Sequence, residues 1–116
     1  MSSQRSNISN QKLNTSECPA EATINLLSGR WKLLIFQELS ETVKRFNQLE
    51  RSISGITRKM LTQQLREMEA YGIIHREVYP EVPPRVEYSL TELGKSLTAV
   101  VETMHDWSQN NLHSRP

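Results

Sequence analysis

Residues 55 to 91 limit the fold more than any other stretch of this chain. Thr57 to Glu69 repeats its apolar positions at helical spacing. At 100° per residue, Leu61, Leu65 and Met68 form one stripe, flanked by Thr57, Arg58 and Gln64. The opposite side carries Lys59, Gln63 and Arg66, with Thr62 at its edge. After Tyr71-Gly72 the pattern switches to strands. Ile73 to Val78 is rich in β-branched residues, and Arg85 to Leu90 places Val86, Tyr88 and Leu90 on one face. Pro80, Pro83 and Pro84 separate the two runs and cannot donate to a ladder. The stretch predicts an amphipathic helix followed at once by a stiff-tipped hairpin.

Upstream, Lys44 to Ile53 reads as a short helix with Phe46, Leu49 and Ile53 on one face. Ser54-Gly55-Ile56 breaks the chain, with Gly55 free to take positive φ. Short helix, glycine turn and longer helix form a helix-turn-helix layout. From Lys44 to Arg66 the basic residues are Lys44, Arg45, Arg51, Arg58, Lys59 and Arg66, and the one acid is Glu50. The whole chain is near neutral, with 14 basic and 13 acidic residues, so positive charge is concentrated here. Such a patch is the footprint of phosphate binding.

The outer face of the long helix offers the groups that read a major groove. Arg and Lys suit guanine edges, Gln suits adenine, and Thr suits phosphate or a thymine methyl. A merely solvated helix face would look similar on its own; the neighbours on both sides favour DNA. The predicted fold class is α+β: a winged helix-turn-helix with a two-stranded wing and extra N- and C-terminal dimerisation helices. Lys59, Thr62, Gln63 and Arg66 face the groove, with Thr57 and Arg58 at the helix start. Lys44 and Arg45 hold phosphate from the first helix of the motif, and Arg85 anchors the wing. Arg76 has two readings of equal weight, DNA contact or a cross-strand pair with Glu87.

Cys18 to Thr23, Gly29-Arg30-Trp31-Lys32, Arg45 to Leu49, Met60 to Glu69, Gly72 to Arg76 and Pro83 to Thr91 occur in an order and spacing that resemble the HxlR-type transcriptional regulators. These are winged-helix proteins related in architecture to the MarR regulators. The resemblance runs from about Cys18 to Trp107. It implies a bacterial or archaeal cytoplasmic homodimer on operator DNA, often near genes answering reactive electrophiles, oxidants or aldehydes.

Ala20 to Ser28 reads as a first helix ended by Gly29, with Leu26 and Leu27 inward, and Trp31 to Leu39 as a strongly apolar second helix. A last helix begins at Thr91, which can cap its first turn. Leu93, Leu97, Val100, Val101, Met104 and Trp107 recur along it at helical spacing. With Leu26, this stripe is read as a dimer seam. At 116 residues and 36% hydrophobic content, one domain buries a thin core, and dimerisation would supply the missing burial. Residues 1–17 are dominated by Ser, Asn and Gln and read as a disordered arm, or one ordered by a partner; 113–116 read as a tail. With no long apolar run and no signal peptide, a cytoplasmic protein without membrane contact is expected.

Cys18 is the single cysteine, so no intrachain disulfide is expected. Its place before Pro19 makes it a helix N-cap, where the dipole and free amides favour thiolate, while Glu17 opposes it. The resemblance adds a role: Cys18 stands where many redox-sensing relatives carry their reactive thiol. A second, more C-terminal cysteine that some of them use is missing. Oxidation would then give sulfenic acid, a mixed disulfide, an alkylated thiol, or a bond between Cys18 residues of two subunits. No metal, cofactor or catalytic role is expected: His75, His105 and His113 lack ligand spacing, and no glycine-rich phosphate loop exists. The competing reading is a winged-helix module that binds a protein instead of DNA.

Overall fold

The computed structural model describes residues 18–112; the expected arm over 1–17 and tail over 113–116 lie outside the described residues. Helix α1, Pro19–Leu27, starts with Pro19 in its first turn, where a missing N–H costs nothing. Cys18 is its N-cap, and the thiol sulfur accepts from the Glu21 amide at 3.4 Å. Helix α2, Lys32–Glu41, follows a turn at Gly29 and sends Ile35, Phe36 and Leu39 into the core.

Lys44 and Arg45 are not the start of a helix. They form a short strand, β1, that pairs antiparallel with Tyr88 and Glu87. The backbone groups of this pair are satisfied by a neighbouring strand, so helix α3 begins only at Phe46 and runs to Ser52. The side chain of Gln48 reaches back to accept from the Arg45 amide at 2.7 Å, which fixes that boundary. Gly55 then turns the chain at φ +87°, a conformation only glycine adopts without strain.

Helix α4, Arg58–Ala70, is the long helix of the motif. Its predicted stripe of Leu61, Leu65 and Met68 is buried. Strands β2, Ile74–Tyr79, and β3, Arg85–Leu90, form the expected hairpin, in register from Ile74 opposite Leu90 to Tyr79 opposite Arg85. With β1 the sheet has three strands in the order β1-β3-β2. One core unites α2, α3, α4 and the sheet through Phe36, Leu49, Leu61, Met68, Ile73, Ile74, Tyr88 and Leu90.

The C-terminal region is divided. Helix α5, Glu92–Ser96, is capped by Thr91, whose hydroxyl accepts from the Gly94 amide at 3.0 Å. Helix α6, Thr98–Leu112, follows after Leu97. There the amide bonds to the Gly94 carbonyl, a tighter turn than an α-helix makes. The single long helix expected from Thr91 is therefore two, because Leu97 turns into the core of its own chain. Gly94 lies against the Ile73 carbonyl, too close for a β-carbon.

The expected dimer seam divides with it. Leu97 is buried within its own chain, and Leu26, Leu93 and Val101 pack against the same core. Val100, Met104 and Trp107 remain exposed, and no residue of α6 is buried. Ile24 on α1 and Leu34 on α2 are exposed as well.

Candidate nucleic-acid interface

The cations of the described residues differ in whether an acid lies beside them. On α4, Lys59, Gln63 and Arg66 are exposed and Thr62 is half-buried; neither cation has an ion-pair partner among the described residues. Arg58, Lys59, Thr62, Gln63, Arg66 and Glu67 border one open concavity. A second, smaller hollow joins this helix to the hairpin and is lined by Thr62, Leu65, Arg66, Glu69, Arg76 and Tyr88. Arg76 stands opposite Tyr88 in the ladder, and the cross-strand pair with Glu87 does not form. Arg76 is exposed and adds the hairpin's cation to the α4 face. Of the two readings the sequence left open for this residue, the register removes the cross-strand pair.

Three expected DNA contacts have other work. Lys44 is only 13% exposed at its side chain and binds Glu38 at 2.5 Å and Glu41 at 3.4 Å. The Glu38 hydrogen bond raises its ammonium above the ordinary lysine value, so the charge is firmly held but spent inside the protein. Arg85 is clamped between Glu81 at 2.8 Å and Glu87 at 2.5 Å, and it lies over the Tyr79 ring. Its guanidinium is raised by hydrogen bonds first from Glu81, then from Glu87, and Glu81 is lowered in return. The expected wing anchor is thus a strut across the base of the hairpin loop. Thr57 is the N-cap of α4, and its hydroxyl accepts from the Met60 amide at 3.1 Å. Arg45 remains exposed, at the end of β1 and not on a helix face.

Arg58 is the intermediate case. It meets Glu50 at 2.9 Å and covers the Phe46 ring, yet its side chain is 66% exposed. An exposed pair of this kind contributes about 0.2–1 kcal/mol, so a phosphate can displace Glu50. The doubly paired, half-buried Arg85 and Lys44 have no such freedom.

One partner set went unseen in the sequence. Lys32, in the first turn of α2, is buried, and its ammonium binds Gln64 at 2.7 Å and Glu67 at 2.5 Å on α4. The Lys32 hydrogen bond lowers the Glu67 carboxyl below the ordinary value, against the opposing effect of burial, and the Gln63 side chain adds a smaller lowering. A periodicity of apolar residues carries no information about such a long-range pair. Arg30 lies over the Trp31 ring. Cys18 itself is exposed.

A glycine-turned pair of short and long helices, with a hairpin cation beside the outer face of the second, defines a winged helix-turn-helix domain of the DNA-binding kind. The HxlR-like helix-turn-helix family matches residues 26–116. The uncharacterised HTH-type transcriptional regulator YybR of Bacillus subtilis (strain 168) is 49% identical over 98 residues, spanning 84% of this chain and 78% of that relative. An uncharacterised HTH-type transcriptional regulator of Methanothermobacter thermautotrophicus is 47% identical over 92 residues, 79% of this chain and 70% of the other. The structure of the redox regulator HypR in its reduced form matches with TM-score 0.76 at 49% identity, covering 81% of this chain and 93% of that one. Reduced YodB from B. subtilis matches with TM-score 0.76 at 40% identity, covering 82% and 94%. The chain belongs to the HxlR-like helix-turn-helix family of transcriptional regulators. No helix among the described residues is long and apolar enough to cross a membrane.

The Lys32–Glu67 pair gives a pH dependence of defined sign. A lowered carboxyl stabilises the fold above its unfolded value, near 4.5, and this contribution is lost as pH falls through the lowered folded value. In urea melts from neutral pH to below 4.5, the unaltered protein should lose more stability than Glu67→Gln, and the two should converge in acid. Parallel losses would show that the pair contributes nothing to folding.

Proposed function

We propose that the chain is a cytoplasmic homodimer that binds an inverted-repeat operator in duplex DNA and regulates transcription, by default as a repressor. The observation that carries this reading is the sorting of charge. Lys59, Arg66 and Arg76 stand free around the outer face of α4, while Lys32, Lys44 and Arg85 are neutralised internally. Two copies of α4 enter successive major grooves about 34–36 Å apart on one DNA face. Lys59, Thr62, Gln63 and Arg66 meet base edges, and Arg58 and Arg76 meet phosphates. The free amides at the start of α4 add a further phosphate seat.

Binding to duplex DNA should weaken steeply with salt, because each neutralised phosphate releases counterions. Lys59→Ala with Arg66→Ala should lower affinity at least a hundredfold at moderate salt. Unchanged affinity in a fluorescence titration, with folding intact, would remove α4 from the groove.

The dimer reading is supported by α6. A helix of this length with no buried residue has no reason to hold its apolar side chains in water unless another surface covers them. Val100, Met104 and Trp107 form the remaining seam. Trp107→Asp should give monomers in sedimentation and lose tight operator binding. A variant that still sediments as a dimer would place the interface elsewhere.

Cys18 is proposed as the sensing residue for oxidants, quinones or aldehydes. It is exposed at the start of α1, and two solved relatives are named as redox regulators or occur in reduced form. Cys18→Ser retains an N-cap acceptor, and serine is a favoured cap. DNA binding and melting temperature should survive the change, whereas release from DNA by peroxide or quinone should vanish. Full release in the serine variant would end the thiol reading.

A further inference from the structure

We infer that Lys32 is a positioning residue for DNA recognition: it neutralises Glu67 and holds that carboxylate back from the phosphates facing α4. This rests on the DNA-binding reading above.

Glu67 borders the same concavity as Arg58, Lys59, Thr62, Gln63 and Arg66, and it is the one acid among them. It lies one helical turn beyond Gln63, on the flank of the reading face. Its side chain is 40% exposed, so a bare carboxylate here would repel a phosphate backbone approaching the helix. Lys32 approaches from the buried side, with only 10% of its side chain exposed. Its ammonium is too enclosed to serve as a phosphate contact itself. It takes Glu67 at 2.5 Å and Gln64 at 2.7 Å, so both acceptors on that flank of α4 turn inward toward α2.

The consequence is electrostatic and geometric together. With Lys32 present, the flank of α4 carries no net charge and Glu67 has one orientation. Gln63, whose side chain also stabilises the ionised Glu67, then has a fixed neighbour beside it. Without Lys32, the carboxylate gains both charge and freedom on a surface meant for a polyanion. Lys32 thus differs from an ordinary core lysine in acting on the ligand through a second residue, and the loss it guards against can be undone at that residue.

The test uses the full chain and the tightest duplex it selects from random-sequence DNA. Lys32→Met keeps the aliphatic stem and should bind that duplex about tenfold more weakly. Adding Glu67→Gln to Lys32→Met should restore affinity to within about twofold, which lost packing alone would not do. Glu67→Gln alone, a change at a partly exposed position, should bind as tightly as the unaltered protein or a few-fold tighter, and it decides the matter if Lys32→Met does not fold. Tenfold weaker binding by Glu67→Gln would mean that Glu67 itself reads bases, and would overturn the inference. So would Lys32→Met at full affinity, or a double variant as weak as the single one. Failure of the unaltered protein to select any duplex would overturn the DNA-binding reading and this inference with it.

Discussion

Thr91 joins the parts that must keep a fixed relation. Its hydroxyl donates to the Gly72 carbonyl at 2.5 Å, just past the end of α4, and accepts from the Gly94 amide in α5. Its backbone amide bonds to the Ile73 carbonyl at 3.0 Å, where the hairpin begins. One residue therefore ties the exit of α4, both ends of the hairpin and the entry to the C-terminal helices. Gly94 lets α5 seat on the Ile73 backbone beside this knot. A hydroxyl is the group suited to the position, because it donates and accepts at once.

Around that junction the chain distributes its cations into two populations. Those near acids in the fold become struts: Lys44 braces β1 against α2, Arg85 braces the hairpin loop, and Lys32 joins α2 to α4. Of those without an acid partner among the described residues, Lys59 and Arg66 lie on α4 and Arg76 on the adjoining hairpin, while Arg30, Arg45 and Arg51 stand elsewhere on the surface. Net charge, +1 for the chain, does not describe this surface. What a polyanion meets is the set of cations the fold has not already neutralised.

Much of the fold was legible because its signals are local. The stripe of Leu61, Leu65 and Met68, the turn at Gly55 and the caps at Cys18 and Thr91 each depend on neighbours within a few residues. The failures came from distance and from windows drawn too tightly. Strand β1 has two residues, too few for any period, and exists only because β3 lies beside it. Counting charge from Lys44 to Arg66 left out Glu38 and Glu41, the acids that claim Lys44. Arg85 looked free until Glu81 and Glu87 were placed around it. The C-terminal stripe was real, but periodicity identifies an apolar face without saying which surface covers it. Leu97 turned inward, whereas Met104 and Trp107 did not.

The cap at Cys18 separates two demands that usually coincide in one residue. Starting α1 requires only a short side chain with an acceptor for the Glu21 amide, and a hydroxyl fulfils that at least as well as a sulfur. Folding is therefore indifferent to the element that distinguishes cysteine from serine here. A lineage can exchange one for the other without rebuilding the helix, gaining or discarding a thiol in a single step. The scaffold leaves the thiol as a setting that evolution can adjust independently of the helix it caps.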